Sequence, residues 1–484
     1  MPALFYSNNN VVTSSSYTEL SSTKEDSKLV KHLLWKLDIR LVPFLALLYL
    51  CSFLDRINIG NAKLAGLETS LHMSESQYSW ALSILFVGYI LFEVPSNMIL
   101  KRVGPKIWIP IITLTWGLIM VLMAFVRSPN QLLIARFFLG VAEAGLFPGV
   151  IFYLTLWYTR REQTIRMAFF YSAAVLSGAF GGILAYGIMQ MHNKLGLHGW
   201  QWIFITEGIP TVILAIISYF YLPNSPSTAT WLDEDERQLL IERLRVDAGA
   251  ANEIHFSWKQ VQDVFTDYHV YLYVIMFIGH VCPVYCISLF LPTIINGMGY
   301  TKMAAQGLSA CPYLIACVFV ILFALSSANT MERGLHTSFT AMISIIGFTL
   351  LLVLTKYGPQ ALYIATFIAC IGVFTNLPPL LSWITNNIGG HTKRNVAIAF
   401  IVSVGNLGGV VAGQIYRADD APYYYRGHSI ALGFSCLLFV FSLLTKWLLI
   451  RENKKRDNLS QEQYQTYCSK TELADWHPDF RYVH

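Results

Sequence analysis

The stretch LVPFLALLYLCSFLDRINIGNAKLAGL (41–67) decides how this chain is to be read. Leu41 through Leu54 carry no charge. A helix rises 1.5 Å per residue, so about 20 apolar residues cross the roughly 30 Å of hydrocarbon in a bilayer. Asp55 and Arg56 then fall inside the same helix, about 22 Å above Arg40 by that rise. Ionisable groups at such depth are costly to bury and are functional candidates by default. The residues before this segment, Met1 to Lys36, are polar and rich in Ser and Asn. They hold no apolar core beside a cleavage site, so the segment reads as a retained membrane helix and not a secretory signal.

The same pattern recurs along the chain. Apolar stretches of crossing length lie at 38–64, 79–99, 107–126, 131–153, 166–190, 201–222, 270–291, 305–326, 335–355, 360–382, 394–415 and 428–450. The chain is 55% hydrophobic and 13% charged, where a soluble protein carries about a quarter charged residues. Its mean hydropathy is +0.48. In lipid the backbone must satisfy its own hydrogen bonds, and the alternation of barrel strands is absent, so the spans are helices. The fold class is therefore all-α membrane, with about twelve transmembrane helices.

An even number of spans puts both termini on one side. With cytosolic termini, the short inner loops hold nine basic residues: Lys101, Arg102, Lys106, Arg160, Arg161, Arg166, Arg333, Lys393 and Arg394. The outer loops hold six: Arg127, Lys194, Lys302, Lys356, Arg417 and Arg426. That bias favours cytosolic termini. The polar segment after Pro223 divides the spans six and six. The expected layout is a disordered cytosolic tail (1–37), an N-terminal six-helix bundle (38–222), a cytosolic linker (223–267), a C-terminal six-helix bundle (268–450) and a cytosolic tail (451–484). Within the linker, WLDEDERQLLIERLRV (231–246) reads as an amphipathic helix, its acids in front and its arginines behind. Gly178-x-x-Gly181-Gly182 in the fifth span returns six spans later as Gly405-x-x-Gly408-Gly409. Such glycines let helix backbones approach closely, and the echo fits two parallel halves.

Several function classes drop out. No GxSxG, HExxH or P-loop is present, so no motor for primary transport. The formal net charge of +5 is spread over short loops, which marks topology and not nucleic-acid binding. Seven of the eight cysteines sit within apolar spans as packing residues and Cys468 lies in the C-terminal tail, with no metal-ligand spacing among them. No metal or other cofactor is expected.

The buried charges carry the functional reading. Arg56 can grip a carboxylate through two parallel hydrogen bonds, and Asp55 can carry a proton. Arg136 and Glu143 stand two turns apart on the fourth span, so they share a face. There Glu143 is a proton acceptor and Arg136 a coupling partner; the alternative is one fixed ion pair that locks helices. Arg56, Asn58, Arg136, Asn386 and Asn406 are the candidates for substrate contact. Glu93, near the inner end of the second span beside Pro95, and Arg102 are read as gating or structural. Glu207, near the outer end of the sixth span, is read as capping or interhelical bonding. Asn376 and Asn387 can bond substrate or glue helices. His280 reads as a packing histidine.

A set of strings resembles the allantoate-permease-like anion:cation symporter branch of the major facilitator superfamily. They are LDRINIGNAKLAGL (54–67), FEVPSNMILKRVGPKIW (92–108), RFFLGVAEAGLFPGVIFYLTLWYTRRE (136–162), GAFGGILAYGI (178–188), WIFITEGIPT (202–211), LSWITNNIGGHTKRNVAIAF (381–400), GNLGG (405–409) and HPDFRY (477–482). The resemblance implies the major facilitator fold, two pseudo-symmetric six-helix bundles and alternating access. It also implies proton-coupled uptake of an organic anion. By likeness to related anion porters, Arg56 binds the carboxylate, Asp55 and Glu143 carry protons, and Arg136 couples them. The expected partners are a small organic anion, protons and the lipid bilayer, with no nucleic acid and a monomeric state. Nicotinate is the expected substrate. Allantoate, pantothenate or another carboxylate, an efflux antiporter and a nutrient receptor are the alternatives. The expected location is the plasma membrane, with endoplasmic reticulum or vacuole as alternatives.

Overall fold

A computed structural model of the chain describes residues 24–191, 194–248, 258–468, 474–476, 478 and 480–484. Every regular element among them is helical. Among the described residues, twelve helices are long and apolar enough to cross a membrane. In order they are Lys28–Leu64, Glu75–Val103, Pro105–Met123, Pro129–Thr155, Ile165–Met189, Gly199–Tyr221, Tyr268–Gly297, Lys302–Thr330, Gly334–Tyr357, Pro359–Asn387, Thr392–Ile415 and Tyr425–Asp457. They are called the first to twelfth spans below. The end of the molecule holding Lys28 and Asp457 is called the near side, and the opposite end the far side.

The first helix begins at Lys24, well inside the segment expected to be a disordered tail. Leu33, Leu37, Leu41 and Leu45 recur one turn apart and are all buried, so an apolar stripe runs into the polar stretch. The residues before Lys24 lie outside the described ones. In the linker, Glu234–Ala248 is a helix. Residues 249–257 lie outside the described ones, and a second short helix follows at Trp258–Thr266. The Glu234–Ala248 helix docks on the first six spans. Glu236 accepts from Lys36 at 2.6 Å, and Arg243 reaches Glu162 at 2.6 Å. Burial alone would raise the Glu162 carboxyl, but its bonds to Arg243 and Thr159 hold it below the usual carboxylate range.

Three spans are broken at mid-depth. The fourth divides into Pro129–Glu143 and Leu146–Thr155, where Ser96 of the second span fills the space a Cβ on Gly145 would need. The tenth breaks at Asn376, before Pro378 and Pro379, and the eleventh at Asn406. Broken helices are tolerated at such depth where they are buried in protein.

The glycine echo occupies equivalent seams. In the fifth span, Gly178 faces Tyr313 and Gly182 faces Gln306 and Ser309, all on the eighth. In the eleventh, Gly409 faces Phe86 of the second, while Gly405 and Gly408 face the seventh. Each half thus lays one glycine-bearing helix against the other half. On the far side, Ser83 donates to the Val410 carbonyl at 2.9 Å and accepts from Gln414 at 2.8 Å. The Ala418 amide there donates to Glu75 at 2.5 Å.

Candidate functional site

The first span aims Asp55 and Arg56 in directions about 100° apart. Arg56 faces the junction of the two halves. Its Nε and Nη2 both reach Oε2 of Glu143 on the fourth span, at 2.9 and 2.8 Å. Its Nη1 donates to the hydroxyl of Tyr285 on the seventh span at 2.7 Å. The guanidinium also lies 4.8 Å from the ring centroid of Tyr89 on the second span, a cation–π distance. All four side chains are buried. Phe53 and Phe86 flank the Tyr285 ring, with centroids at 6.0 and 4.5 Å. One cation therefore touches three helices beyond its own and ties the halves together. Oε1 of Glu143 has no hydrogen-bond partner among the described residues. Sequence reasoning missed Tyr89 and Tyr285, because tyrosines in apolar spans resemble packing residues. The available signal was that a buried phenol needs a polar partner.

Asp55 turns away from this junction. Its Oδ2 accepts from Trp116 Nε1 on the third span at 3.2 Å and from the Thr211 hydroxyl on the sixth at 3.0 Å. Asn58 turns the same way and donates to Glu207 Oε2 at 2.7 Å. Asn58 is thus held by the sixth span and not turned toward Arg56. Glu207 lies level with Asn58 and not at a helix end, and its bond joins the sixth span to the first.

Arg136 differs most from expectation. Its donors go to backbone carbonyls: Nε to Ala81 at 3.2 Å, Nη2 to Arg56 at 3.1 Å and Nη1 to Asp55 at 3.5 Å. It bonds neither carboxylate of the site, because Arg56 has taken Glu143. A guanidinium offers five donors and no acceptor, and here they buckle the fourth span onto the first and second.

Glu93 is fully buried, and neither carboxyl oxygen has a hydrogen-bond partner among the described residues. It lies about 15 Å from Val103 at 1.5 Å per residue, so it sits deep in the span and not at its inner end. Arg102 is exposed at the near-side end of the same helix. Asn386 sits in the last turn of the tenth span, far along the membrane normal from Arg56. Asn387 bonds the Val483 backbone and so ties the tenth span to the C-terminal tail, while Asn376 bonds Thr337 and Thr340 and joins the tenth span to the ninth. Asn406 stands at the mid-depth break of the eleventh span and donates to the Val402 carbonyl at 2.9 Å. His280 is buried, with its ring 6.1 Å from that of Phe277. Among the described residues, no group of three or more His, Cys, Asp or Glu could hold a metal ion.

A family profile described as Major Facilitator Superfamily matches residues 45–413. The chain belongs to the Major Facilitator Superfamily. Within that superfamily it is 38% identical over 409 residues to the MFS transporter prlL of Fungal sp. (strain NRRL 50135), covering 83% of each chain. It is 37% identical over 386 residues to a putative tartrate transporter of Agrobacterium vitis, covering 80% of this chain and 88% of that one. Among solved structures, the D-xylose-proton symporter superposes with a TM-score of 0.65 at 14% identity. That match covers 84% of this chain and 97% of the symporter, and at such identity it speaks for the fold alone. This Major Facilitator Superfamily member is a multi-pass membrane transporter and not an enzyme.

Proposed function

We propose that the protein is a proton-coupled symporter for a small organic anion. The observation that carries this reading is the buried Arg56–Glu143 pair at the junction of the halves. A guanidinium in that place suits a carboxylate, but Glu143 already occupies it. Protonating Glu143 removes the competing charge and frees Arg56 for an incoming anion. The anion then supplies the negative charge that Glu143 gave up, and the neutralised site lets the halves rock about it. On the opposite side Glu143 loses its proton, recaptures Arg56 and expels the anion. Asp55 is the second acid proposed to carry a proton.

A relative named as a putative tartrate transporter supports a carboxylate substrate. Nicotinate remains the first monocarboxylate to try, with the plasma membrane as the site of uptake. The test is uptake of labelled nicotinate and tartrate into proteoliposomes, with and without an inward proton gradient. Accumulation is expected to need the gradient and to be lost in Arg56→Ala. In Glu143→Gln, uptake is expected to lose its dependence on outside pH. Depletion of preloaded anion under the same gradient would mark an antiporter and overturn the reading.

A further inference from the structure

Beside the Arg56 site lies a second polar group, of which the cycle above uses Asp55 alone. It is built in two layers between the first, third and sixth spans. In one layer, Asp55 Oδ2 accepts from Trp116 and Thr211. In the next, Glu207 Oε2 accepts from Asn58, whose amide also lies 3.9 Å from the Met120 sulfur. The spacing is regular: Asp55 and Asn58, Trp116 and Met120, and Glu207 and Thr211 are each one turn apart on their helices.

The donors and acceptors do not balance. Asp55 Oδ1, Asn58 Oδ1 and Glu207 Oε1 are all buried and have no hydrogen-bond partner among the described residues. The three residues are at most 3% exposed. Unpaired acceptors in a buried site are expensive, and ionised carboxylates without a cation are more so. Among the described residues, no cationic side chain bonds these carboxylates. Arg56 is turned to Glu143 and Tyr285, and Arg136 gives its donors to backbone carbonyls. The other titratable groups facing the cluster are Cys51 on the first span and Glu143 on the fourth, and neither supplies positive charge.

We propose that Asp55, Asn58 and Glu207 form a monovalent-cation site whose occupant is a proton, and that Glu207 is a coupling residue of the transport cycle. This rests on the symport reading and adds to it a residue outside the anion's contact shell. A carboxylic acid O–H turns one surplus acceptor into the donor this cluster lacks. The neighbours favour a proton over sodium, because an indole and a thioether contribute no hard oxygen to a metal ion. Coupling to the anion site follows from the chain. Asp55 adjoins Arg56, and Arg136 holds the carbonyls of both. A shift of the first span that presents Arg56 to an anion also moves Asp55 against the sixth span, exposing or sealing the proton.

Two measurements on the purified full-length protein test this. The first is infrared spectroscopy of protonated carboxyl bands across a pH titration, in sodium chloride and in choline chloride, with no anion added. Glu207→Gln is expected to remove one band and Asp55→Asn to shift the remainder, equally in both salts. Unaltered bands in Glu207→Gln, or bands that respond to sodium at fixed pH, would overturn the proposal. The second is accumulation in proteoliposomes. Loss of one coupled proton is expected to lower the steady-state accumulation ratio about tenfold for each unit of pH gradient. Glu207→Asp is expected to restore part of it, which separates coupling from folding. Accumulation equal to the parent's in Glu207→Gln would overturn the coupling role. If the parent itself shows no proton-driven uptake, the symport reading fails, while the infrared titration still decides whether the pair holds a proton.

Discussion

Among the described residues, Tyr285 makes the only side-chain hydrogen bond to Arg56 from the C-terminal half. Replacing it by Phe keeps the ring between Phe53 and Phe86 and removes the hydroxyl alone. Nη1 of Arg56 is then buried without that partner, and a hydrogen bond to a charged group is worth about 1.5–3 kcal/mol. Tyr285→Phe is therefore expected to lower the thermal unfolding temperature of the purified protein by several degrees. The shift should shrink when Glu143→Gln is added, because that change already loosens the same guanidinium. A double-mutant cycle on unfolding temperatures checks both points. Asp55, Arg56 and Glu143 were legible in the sequence because charge is so costly in lipid. Their partners were not. Spacing along one helix fixes which face a side chain occupies, but it does not say which neighbouring helix that face meets. The same limit hid Arg136, whose donors went to backbone groups that leave no trace in residue identity.

At the level of elements, the spans were legible almost to their ends, since apolar runs of crossing length have few other readings. The segments outside the membrane were less so. Leu33 and Leu37 are scattered among charged residues, and only burial against the bundle makes them a stripe. The tail is similar. Trp383 and Asn387 of the tenth span both donate to the Val483 carbonyl at 2.8 Å, and the Val483 amide returns a bond to Asn387 at 2.7 Å. Asn453 bonds the Tyr482 backbone in both directions, and Lys393 bridges Asp267 and Asp475 at 2.7 Å each. Burial would raise the Asp267 carboxyl, but His269 and Lys393 outweigh it and bring it down to about 2. The tail thus clasps near-side ends of the seventh, tenth, eleventh and twelfth spans. Removing residues 477–484 takes away these five backbone bonds and two more, from Arg456 to the Phe480 carbonyl and from the Arg333 amide to the His484 carbonyl, of about 1 kcal/mol each, less what water restores. A drop in unfolding temperature on the order of 5–10 °C is expected by thermal-shift assay.

For the whole molecule, the glycine echo was the informative signal, and its meaning lies in the seams. The fifth span meets the eighth and the eleventh meets the second, which are equivalent pairs when the halves are exchanged. Two such seams let the halves rock while one edge stays joined. Sequence carries this symmetry but not the conformation, because both ends of the cycle are built from the same residues. Here the far side is closed through Ser83, Val410 and Gln414. If uptake proceeds by alternating access, that contact must part for an anion to enter. Ser83→Cys with Gln414→Cys, in a background with the exposed Cys311 replaced, places two thiols at a contact now spanned by one hydrogen bond. A short bifunctional thiol reagent is expected to stop uptake by the double variant and to leave each single variant active. Cleavage of a reducible linker should restore transport. Full uptake with the cross-link shown to be complete would mean that the far side need not open there, and the seams would then have to act as the hinge in some other way.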